Sequence, residues 1–381
     1  MSLTAPSVSL EQIAALPNLY AAWNAVRCKR GEAGLDGITL QTFAVDVNTH
    51  VRCLHEAILA HGYEPTALRR ITRTKRDGGQ RRIGIPTVAD RVVQHAILQV
   101  LEPCFEPTFA ACSYGFRPRR SAHQAVMMVL QSLTAGAMWV VEADLEDFFD
   151  TLDWAVLHQA LATRISDPYV LDLVHRFLWA GALRGWHGQP DAQGTAQGAV
   201  FSPLFGNVYL TPFDHLMTTQ GYQLVRYGDD FVTLHRTHEE ATTALQVMRT
   251  MLEGQLHLRL HPTKTVITDA QRHGFAFLSF WFHAATIVPT RQAVERFRNQ
   301  VQQRLTAGRQ EGAPAVAAHL NPLIRGWGEY FKIAQVADLY GQLDAWLAAQ
   351  LHELHIPPTS LASLRAIYER YWARQGAPST P

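Results

Sequence analysis

The stretch that most constrains how this chain can fold runs from Val225 to Val232 and reads Val-Arg-Tyr-Gly-Asp-Asp-Phe-Val. Valine and aromatic residues on both sides of the two acids are typical of short β-strands, and Gly228 permits a tight turn between them. The pattern therefore predicts a β-hairpin that presents Asp229 and Asp230 at its tip. Acidic pairs are also common at ordinary solvated turns, so this run alone leaves that alternative open.

A second acidic stretch, from Glu142 to Asp150, follows the apolar pair Val140 and Val141, which is typical of a buried strand. This strand would deliver Asp144 at its end. If it pairs beside the predicted hairpin, Asp144 and Asp229 converge in one cleft, where neighbouring carboxylates repel each other unless divalent cations lie between them. The arrangement predicts two Mg²⁺ ions about 3.5–4 Å apart, as in the two-metal sites of polymerases and nucleases.

The distribution of charge supports a polyanionic ligand. The 381 residues carry a formal net charge of only +1, yet residues 66–86 contain seven basic residues against Asp77 alone, and residues 142–153 contain six acids and no base. A basic patch facing an acidic centre suits a nucleic acid, although charge runs are also ordinary solvated faces. With 47% hydrophobic and 18% charged residues, the chain has the composition of a globular protein of two or three subdomains.

The cysteine and histidine patterns argue against several protein classes. The four cysteines show no Cys-x-x-Cys spacing, which disfavours structural zinc and a disulfide scaffold, and the eighteen histidines show no metal-binding spacing. The N-terminus does not read as a secretory signal, and the apolar runs are too short to cross a bilayer. We therefore expect a cytoplasmic protein without a membrane partner.

Hydrophobic spacing and turn residues divide the chain into an α+β pattern. A flexible leader is predicted for residues 1–18. Helices are predicted over residues 19–26, 40–60, 90–101, 121–133, 154–163, 168–179 and 239–256, and again from residue 290 onward. A basic hairpin is predicted over residues 69–85 and an aromatic strand over residues 275–282. The last part of the chain is therefore expected to be a helical subdomain.

Three segments have the composition of nucleic-acid or nucleotide contacts. Residues 113–120 interleave two aromatics with three arginines, which could stack on bases and contact phosphates, although a surface loop anchored by its aromatics has the same composition. Residues 325–332 also mix aromatics with cations. Small residues over 194–207 would let the backbone lie close to a nucleotide, where Gln197 offers a side-chain amide.

In this order, the motifs resemble the reverse transcriptases of bacterial group II introns and their free-standing relatives, over roughly residues 19–345. Three stretches are similar to the palm motifs: residues 144–150 (Asp-Leu-Glu-Asp-Phe-Phe-Asp), 197–204 (Gln-Gly-Ala-Val-Phe-Ser-Pro-Leu) and 227–230 (Tyr-Gly-Asp-Asp). Further similarities are the lysine motif at 262–265, the thumb-entry strand at 277–280, the fingers motifs at 75–86 and 113–125, and the maturase or thumb segment at 321–331. Tyr-Gly-Asp-Asp replaces the more usual Tyr-Ala-Asp-Asp, a change that removes no catalytic group.

The resemblance implies the fold of a right-hand polymerase. Fingers are expected over residues 19–135, and a helical thumb or maturase-like region over residues 286–381. Between them, a palm built on an antiparallel sheet packed by helices is expected over residues 136–285, with an inserted fingers segment at about 155–200.

The resemblance also implies the site residues. Asp144, Asp229 and Asp230 would form the catalytic, metal-binding triad, with the Leu145 carbonyl as a further ligand of Mg²⁺, for which Mn²⁺ could substitute. Contacts to the incoming dNTP are expected from Lys75, Arg81, Phe149, Gln197 and Lys264. Contacts to nucleic acid are expected from Arg117, Arg119, Arg120, Tyr227, Arg325 and Trp327.

Phe149 bears on the choice of sugar. It occupies the position at which this family keeps a bulky aromatic against a ribose 2′-OH, so the product should be DNA. The Gly-Asp-Asp spelling is also found in viral RNA-dependent RNA polymerases. Because the edge of the Phe149 ring cannot form a hydrogen bond with a ribose 2′-OH, RNA synthesis ranks second.

The sequence therefore predicts an RNA-directed DNA polymerase that extends a DNA or RNA primer 3′-OH with dNTPs on an RNA template. The chain ends soon after the thumb-like region, and its near-neutral charge suits intron-RNA binding poorly. Both features favour a relative recruited to CRISPR spacer acquisition, beside an adaptation integrase, or to phage defence, over an intron-mobility protein bound to its intron RNA. A non-catalytic, RNA-binding splicing cofactor is the alternative.

Overall fold

The computed structural model describes residues 8–29, 31–74, 80–182, 193–195, 198–308, 313–353, 357 and 360–375. The helices are α1 (Leu10–Ala14), α2 (Leu16–Cys28), α3 (Leu40–Val45), α4 (Val47–Leu59), α5 (Val88–Phe105), α6 (Ala122–Thr134), α7 (Phe148–Thr151), α8 (Trp154–Ala162), α9 (Pro168–Ala182), α10 (Ser202–Thr219), α11 (His238–Leu252), α12 (Arg291–Gly308), α13 (Ala313–Phe331), α14 (Ala337–His352) and α15 (Leu364–Arg374). The strands are β1 (Arg69–Thr74), β2 (Gln80–Ile85), β3 (Trp139–Ala143), β4 (Gln223–Tyr227), β5 (Asp230–His235), β6 (Val266–Asp269), β7 (Phe275–Phe277), β8 (Phe280–His283) and β9 (Thr286–Pro289). These elements confirm the predicted α+β class. Among the helices of the described residues, none combines the length and the hydrophobicity that a membrane span requires.

The N-terminal segment is more ordered than its composition predicts. Helix α1 already begins at Leu10, whose amide donates a hydrogen bond to Asp167 Oδ2 at 2.8 Å. Leu10 and Ile13 are both buried. From residue 8 onward, the prediction of a flexible leader to residue 18 is therefore wrong, because two apolar residues at helical spacing hold the segment against the fold.

Most of the predicted helices are confirmed, and side-chain caps explain where they begin. Ser121 caps α6 by accepting from the Gln124 amide at 3.3 Å, while the Gln124 side chain accepts from the Ser121 amide at 2.9 Å. The single helix predicted over residues 40–60 is instead divided into α3 and α4. The division falls at Asp46, which leaves helical geometry (φ −133°, ψ 54°) and caps α4 through the Thr49 amide.

The described residues form three sheets. The four-stranded sheet has the order β4-β5-β3-β6, so β5 lies between its hairpin partner β4 and the strand that leads to Asp144. The predicted basic hairpin is present as the antiparallel pair β1 and β2. The aromatic segment predicted as one strand is the hairpin β7-β8, because Leu278 and Ser279 turn the chain with φ angles of 50° and 66°.

One compact unit comprises Met1–Arg120, Ala143–Thr233 and Thr242–Val266. Helix α10 lies in its core and packs against α5, α8 and β4. Three aromatic side chains of this helix are buried: Phe205, Tyr209 and Phe213. This unit contains both Asp144 and the turn that carries Asp229, so it holds the residues on which the predicted chemistry depends.

A second compact unit comprises Ser121–Glu142, Leu234–Ala241 and Ile267–Pro381. Helices α12 to α15 pack together in it, which confirms the helical character predicted from residue 290 onward. The boundaries of the two units do not coincide with those expected for fingers, palm and thumb. The three-part division therefore stays a prediction.

His95 should make the protein less stable in acid. Burial in α5, together with the nearby charge of Lys29, lowers the pKa of His95 from 6.5 to about 4. Between these pH values, the unfolded chain binds a proton that the native protein does not, so the free energy of unfolding falls as the pH decreases, by about 3 kcal/mol at most.

Urea denaturation between pH 6.5 and pH 4 would measure this loss. We expect the free energy of unfolding of His95→Gln to depend less on pH than that of the wild type. Parallel pH dependences for the two proteins would contradict the assignment.

Candidate active site

The predicted acidic hairpin is present. Strand β4 ends at Tyr227, β5 begins at Asp230, and Gly228 adopts a φ of +71° in the turn between them. Glycine is favoured in this left-handed region because it has no Cβ. Asp229 is half-buried and Asp230 is exposed. The turn thus presents two adjacent carboxylates in different surroundings.

A fully buried arginine holds this turn. The Arg226 side chain has no exposed surface, and it donates to both carboxylate oxygens of Asp214, from Nε at 2.7 Å and from Nη2 at 2.5 Å. Its Nη1 donates to the Gly228 carbonyl at 2.8 Å and to Asn207 Oδ1 at 2.9 Å, and Nη2 donates to the Ser113 hydroxyl at 2.8 Å. Because buried charges persist only when paired and hydrogen-bonded, these contacts fix the turn to α10.

The segment over residues 112–115 lies parallel to β4 and supports the same turn. The Tyr114 amide donates to the Arg226 carbonyl at 2.8 Å. At the next position, a Cβ on Gly115 would lie 2.3 Å from the Gly228 nitrogen, so a side chain cannot be accommodated there. The segment predicted as a nucleic-acid loop is therefore also a structural support of the acidic turn.

Asp144 follows β3 directly and contacts Lys264, one of the predicted dNTP contacts. Lys264 Nζ lies 2.8 Å from Asp144 Oδ2, with 55% of the lysine side chain and 39% of the aspartate side chain exposed. In such solvated surroundings the ion pair itself contributes little stability. The structure therefore brings Lys264 to the aspartate in a contact that solvent can reach, and its predicted contact with the dNTP stays a prediction.

Backbone pairing orients the residues around Asp144. The His261 amide donates to the Asp144 carbonyl at 2.8 Å, and the Glu146 amide donates to the Arg259 carbonyl at 2.9 Å. Leu145 stands between these two hydrogen bonds, and neither of them uses its carbonyl. The pairing therefore does not occupy the backbone oxygen predicted to bind a metal.

Phe149 is seated against α10. The ring packs over Gly206, where a Cβ would lie 3.2 Å from Phe149 Cε1 and 3.0 Å from Phe148 Cε1. The two phenylalanine rings meet edge to face at 5.0 Å. The Thr195 amide donates to the Phe149 carbonyl at 2.7 Å, so backbone and ring are both held while the residue stays half-buried.

The donor chemistry at these positions suits Mg²⁺, which prefers carboxylate and carbonyl oxygens. Asp144 and Asp229 offer carboxylates, and Leu145 offers a carbonyl. The contact with Lys264 shows that Asp144 accepts a cationic partner. Among the residues that the structure describes, no group of three or more His, Cys, Asp or Glu side chains is arranged to hold a metal ion, so the predicted triad with Asp230 stays a prediction.

Three of the predicted dNTP contacts are Lys75, Arg81 and Gln197. Lys75 and Gln197 lie outside the described residues. Arg81 is placed in β2, opposite Arg73 in β1, and its side chain is not described. These three assignments stay predictions.

Arg117 was predicted to contact nucleic acid, and the structure contradicts this. Only 5% of its side chain is exposed. Its Nη2 donates to Glu106 Oε1 at 2.9 Å, and Nη1 donates to the carbonyls of Ala110 and Ser113 at 2.7 and 2.8 Å. Because its donors serve the loop itself, Arg117 is a structural residue.

Trp327 is half-buried and belongs to an aromatic cluster. Its ring centroid lies 4.8 Å from that of Phe297, 4.7 Å from Phe331 and 5.6 Å from Tyr340. Its indole nitrogen is buried without a hydrogen-bond partner among the described residues. Trp327 therefore packs within the second unit, and its contact with nucleic acid stays a prediction.

The remaining nucleic-acid contacts are compatible with the structure and stay predictions. Arg119 is exposed, and the half-buried Arg120 lies over the Tyr114 ring at 5.2 Å. Tyr227 is half-buried at the end of β4. Arg325 is exposed and lines a cavity of about 450 Å³ together with Glu329, Ser363 and Arg370.

The supporting residues of the turn were missed by sequence reasoning. Arg226, Asp214, Asn207 and Ser113 come from three separate parts of the chain. A signal was nevertheless present, since Arg226 interrupts an otherwise apolar strand and a buried strand position tolerates arginine only with a partner. The identity of that partner could not be read from the pattern.

Breaking the Arg226–Asp214 pair from one side should strongly destabilise the protein. Arg226→Met leaves the Asp214 carboxylate buried without its partner, a change that costs about 3–5 kcal/mol in comparable pairs. The double variant Arg226→Met/Asp214→Leu should recover part of this loss, because it leaves no unpaired buried charge.

Urea denaturation measures both effects, and Arg291→Met in the exposed Arg291–Glu295 pair serves as the control, with an expected change below about 1 kcal/mol. A loss for Arg226→Met as small as that of the control would show that the buried pair is not essential to the fold.

Two family models match this chain. Residues 73–282 match the model for reverse transcriptase (RNA-dependent DNA polymerase), and residues 294–372 match the group II intron, maturase-specific domain. The first match spans the acidic hairpin, Asp144 and Lys264.

Similar proteins carry related names. The chain is 31% identical to protein YkfC of Escherichia coli (strain K12) over 283 residues, which cover 64% of this chain and 74% of that protein. It is 33% identical to the group II intron-encoded protein LtrA of Lactococcus lactis subsp. cremoris over 215 residues, which cover 56% of this chain and 36% of that protein.

Among solved structures, apo telomerase from Candida tropicalis matches with a TM-score of 0.49 at 11% identity, covering 81% of this chain and 65% of that chain. A partial Cas6-RT-Cas1–Cas2 complex matches with a TM-score of 0.40 at 21% identity, covering 65% of this chain and 43% of that chain.

The reverse transcriptase model alone matches more than half of the sequence. The chain therefore belongs to the reverse transcriptase family of RNA-dependent DNA polymerases, in its group II intron type.

Proposed function

We propose that this protein extends a primer 3′-OH with dNTPs on an RNA template. The observation that carries the proposal is the strand order, in which β5, headed by Asp230 and preceded by Asp229, lies next to β3, which leads into Asp144. An antiparallel pairing of these two strands would bring the three carboxylates to one edge of the sheet. Family membership supports the same chemistry.

In this proposal Asp144, Asp229 and the Leu145 carbonyl hold two Mg²⁺ ions, with Mn²⁺ as a substitute. When bound, the ions stabilise charge on the attacking and leaving oxygens of an in-line phosphoryl transfer. Asp230, which is exposed at the start of β5, contributes charge to the same edge. Lys264, 2.8 Å from Asp144, places an ammonium group where it can neutralise the departing pyrophosphate.

The proposal also includes an RNA partner and a cellular setting. The match to the maturase-specific domain over residues 294–372 supports an RNA partner for the C-terminal helices. Intron mobility, spacer acquisition beside a CRISPR adaptation integrase, and phage defence would all use the same cytoplasmic chemistry. They differ in the primer that is extended, a DNA end or an RNA end.

Asp229→Asn should abolish primer extension. The substitution keeps the size of the side chain and removes a metal-holding charge, and even outer partners of metal sites contribute about 10–100-fold to activity. We therefore expect incorporation of dNTPs on an RNA template with Mg²⁺ to fall more than about 100-fold.

The matched control for this variant is Asp338→Asn, an exposed aspartate in the first turn of α14, which should retain wild-type extension. Removal of divalent ions with EDTA should stop both proteins, and added Mn²⁺ should restore the control. Equal incorporation by the wild type and Asp229→Asn would reject the polymerase.

The maturase-specific match favours a second candidate function, an RNA-binding splicing cofactor that does not use the acidic site. In that case Asp229→Asn would support intron splicing as well as the wild type does, and neither protein would extend a primer. Splicing and primer extension measured on the same preparations separate the two functions.

Phe149→Ala should weaken discrimination against ribonucleotides. The half-buried ring packs against Gly206 of α10. A 2′-OH would therefore clash with a ring that has no space to move away. Removing the ring should reduce the ratio of kcat/KM for dNTP to that for rNTP by roughly 10–100-fold, the discrimination that one small group in a tight pocket provides.

Phe149→Tyr keeps the ring and serves as the control, with a ratio close to that of the wild type. An unchanged ratio in Phe149→Ala would remove Phe149 from sugar selection. A wild-type preference for rNTPs would instead indicate an RNA polymerase.

A further inference from the structure

We propose that Phe116 is the platform on which the 3′-terminal nucleotide of the primer stacks. The proposal rests on the polymerase function proposed above and adds the residue that would position the attacking end of the primer. It concerns the loop over residues 112–117, which is fixed to the acidic turn and presents one exposed aromatic ring there.

The loop is rigidly attached on both sides of Phe116. Before it, the Tyr114 amide is bonded to the Arg226 carbonyl, and the Gly115 backbone lies against the Gly228 nitrogen. After it, the buried Arg117 side chain donates to Glu106 and to two carbonyls of the loop. Phe116 therefore stands on a support that cannot move independently of the turn.

The position of Phe116 is unfavourable for a residue that only fills space. Its φ of 57° lies in the left-handed region, where a bulky side chain is strained. The residue remains 52% exposed, so the strain is not offset by complete burial. Strained backbone held by well-ordered surroundings is concentrated at functional sites.

The ring is directed over the acidic turn. Phe116 Cε2 lies 2.9 Å from the position that a Cβ on Gly228 would occupy, and the ring centroid is 6.1 Å from that of Tyr227. The next residue after Gly228 is Asp229. The exposed aromatic surface thus lies over Gly228, the residue directly before the aspartate on which the proposed phosphoryl transfer depends.

The chemistry of this surface favours a nucleotide, because aromatic side chains stack on bases independently of their sequence. The nucleotide next to Asp229 in the proposed reaction is the one that carries the attacking 3′-OH. The sugar of the incoming dNTP is assigned to Phe149, which packs on Gly206 of α10. The primer terminus is therefore the ligand of Phe116, and Arg119, exposed two residues after the loop, suits its phosphates.

Binding of a primer–template tests the proposal without requiring catalysis. Dissociation constants would be measured for an RNA template paired with a recessed primer. The proteins compared are Asp229→Asn with the native Phe116 and Asp229→Asn combined with Phe116→Leu, Phe116→Trp or Phe116→Gly. Stacking of one base on an aromatic ring changes affinity by roughly 5–150-fold, so Phe116→Leu should weaken binding by about 10-fold and Phe116→Trp should retain it.

The glycine variant separates stacking from folding. Phe116→Gly removes the ring and also relieves the left-handed backbone, so its melting temperature should not fall below that of the parent while primer binding is lost as in Phe116→Leu. Tyr169→Ala, which removes the ring of a comparably exposed residue (51%) from α9, is the control and should leave binding unchanged. A large loss of stability in Phe116→Gly with unchanged binding would overturn the proposal and make Phe116 a packing residue.

Photocrosslinking identifies the nucleotide that is contacted. A 4-thiothymidine at the primer 3′ end should crosslink to the peptide that contains Phe116, whereas the same base placed in the template, or supplied as the incoming nucleotide, should not. Crosslinking only from the template or the dNTP would assign the ring to another ligand and overturn the proposal.

The two proposals can fail separately. The polymerase proposal fails and the Phe116 contact stands if three results are obtained together. The wild type crosslinks to the primer end, Phe116→Leu binds the primer–template more weakly than the wild type, and the wild type extends no primer. If the wild type extends primers and Phe116→Leu extends and binds them equally well, only the Phe116 proposal fails.

Discussion

The acidic hairpin depends on one buried ion pair. Transfer of a guanidinium and a carboxylate out of water is costly, and it is tolerated only where geometry and hydrogen bonding are nearly complete. Arg226 meets this condition through Asp214, Asn207, Ser113 and the Gly228 carbonyl. The pair therefore joins a helix, a strand and a loop at the point where the chain must hold Asp229 still.

This arrangement explains why the loop over residues 112–117 has two roles. Its backbone and the inward-facing Arg117 complete the support of the turn, whereas Phe116 remains exposed beside them. A polymerase must keep its metal-holding carboxylates and the primer end in register to within a fraction of an ångström. In the proposal, one rigid loop supports the acidic turn and also carries Phe116, so it would hold the carboxylates and the primer end in a fixed relative position.

Much of the local structure could be predicted because local interactions determine it. The hairpin around Gly228, strand β3 before Asp144 and the Ser121 cap of α6 all follow from residues within a few positions of one another. Predictions that required knowledge of the environment were less successful. Arg117 lies in a segment with the composition of a nucleic-acid contact, yet its side chain is buried in its own loop.

The sequence by itself determined the α+β class, the acidic turn and, through ordered motifs, the family of the chain. Only the tertiary structure decided that Arg226 pairs with Asp214, that Lys264 reaches Asp144, and that Phe116 covers Gly228. The physical reason is that propensity and periodicity act over a few residues, whereas burial and charge pairing join distant segments that meet only after folding, as Asp144 and Lys264 do across 120 positions of the chain.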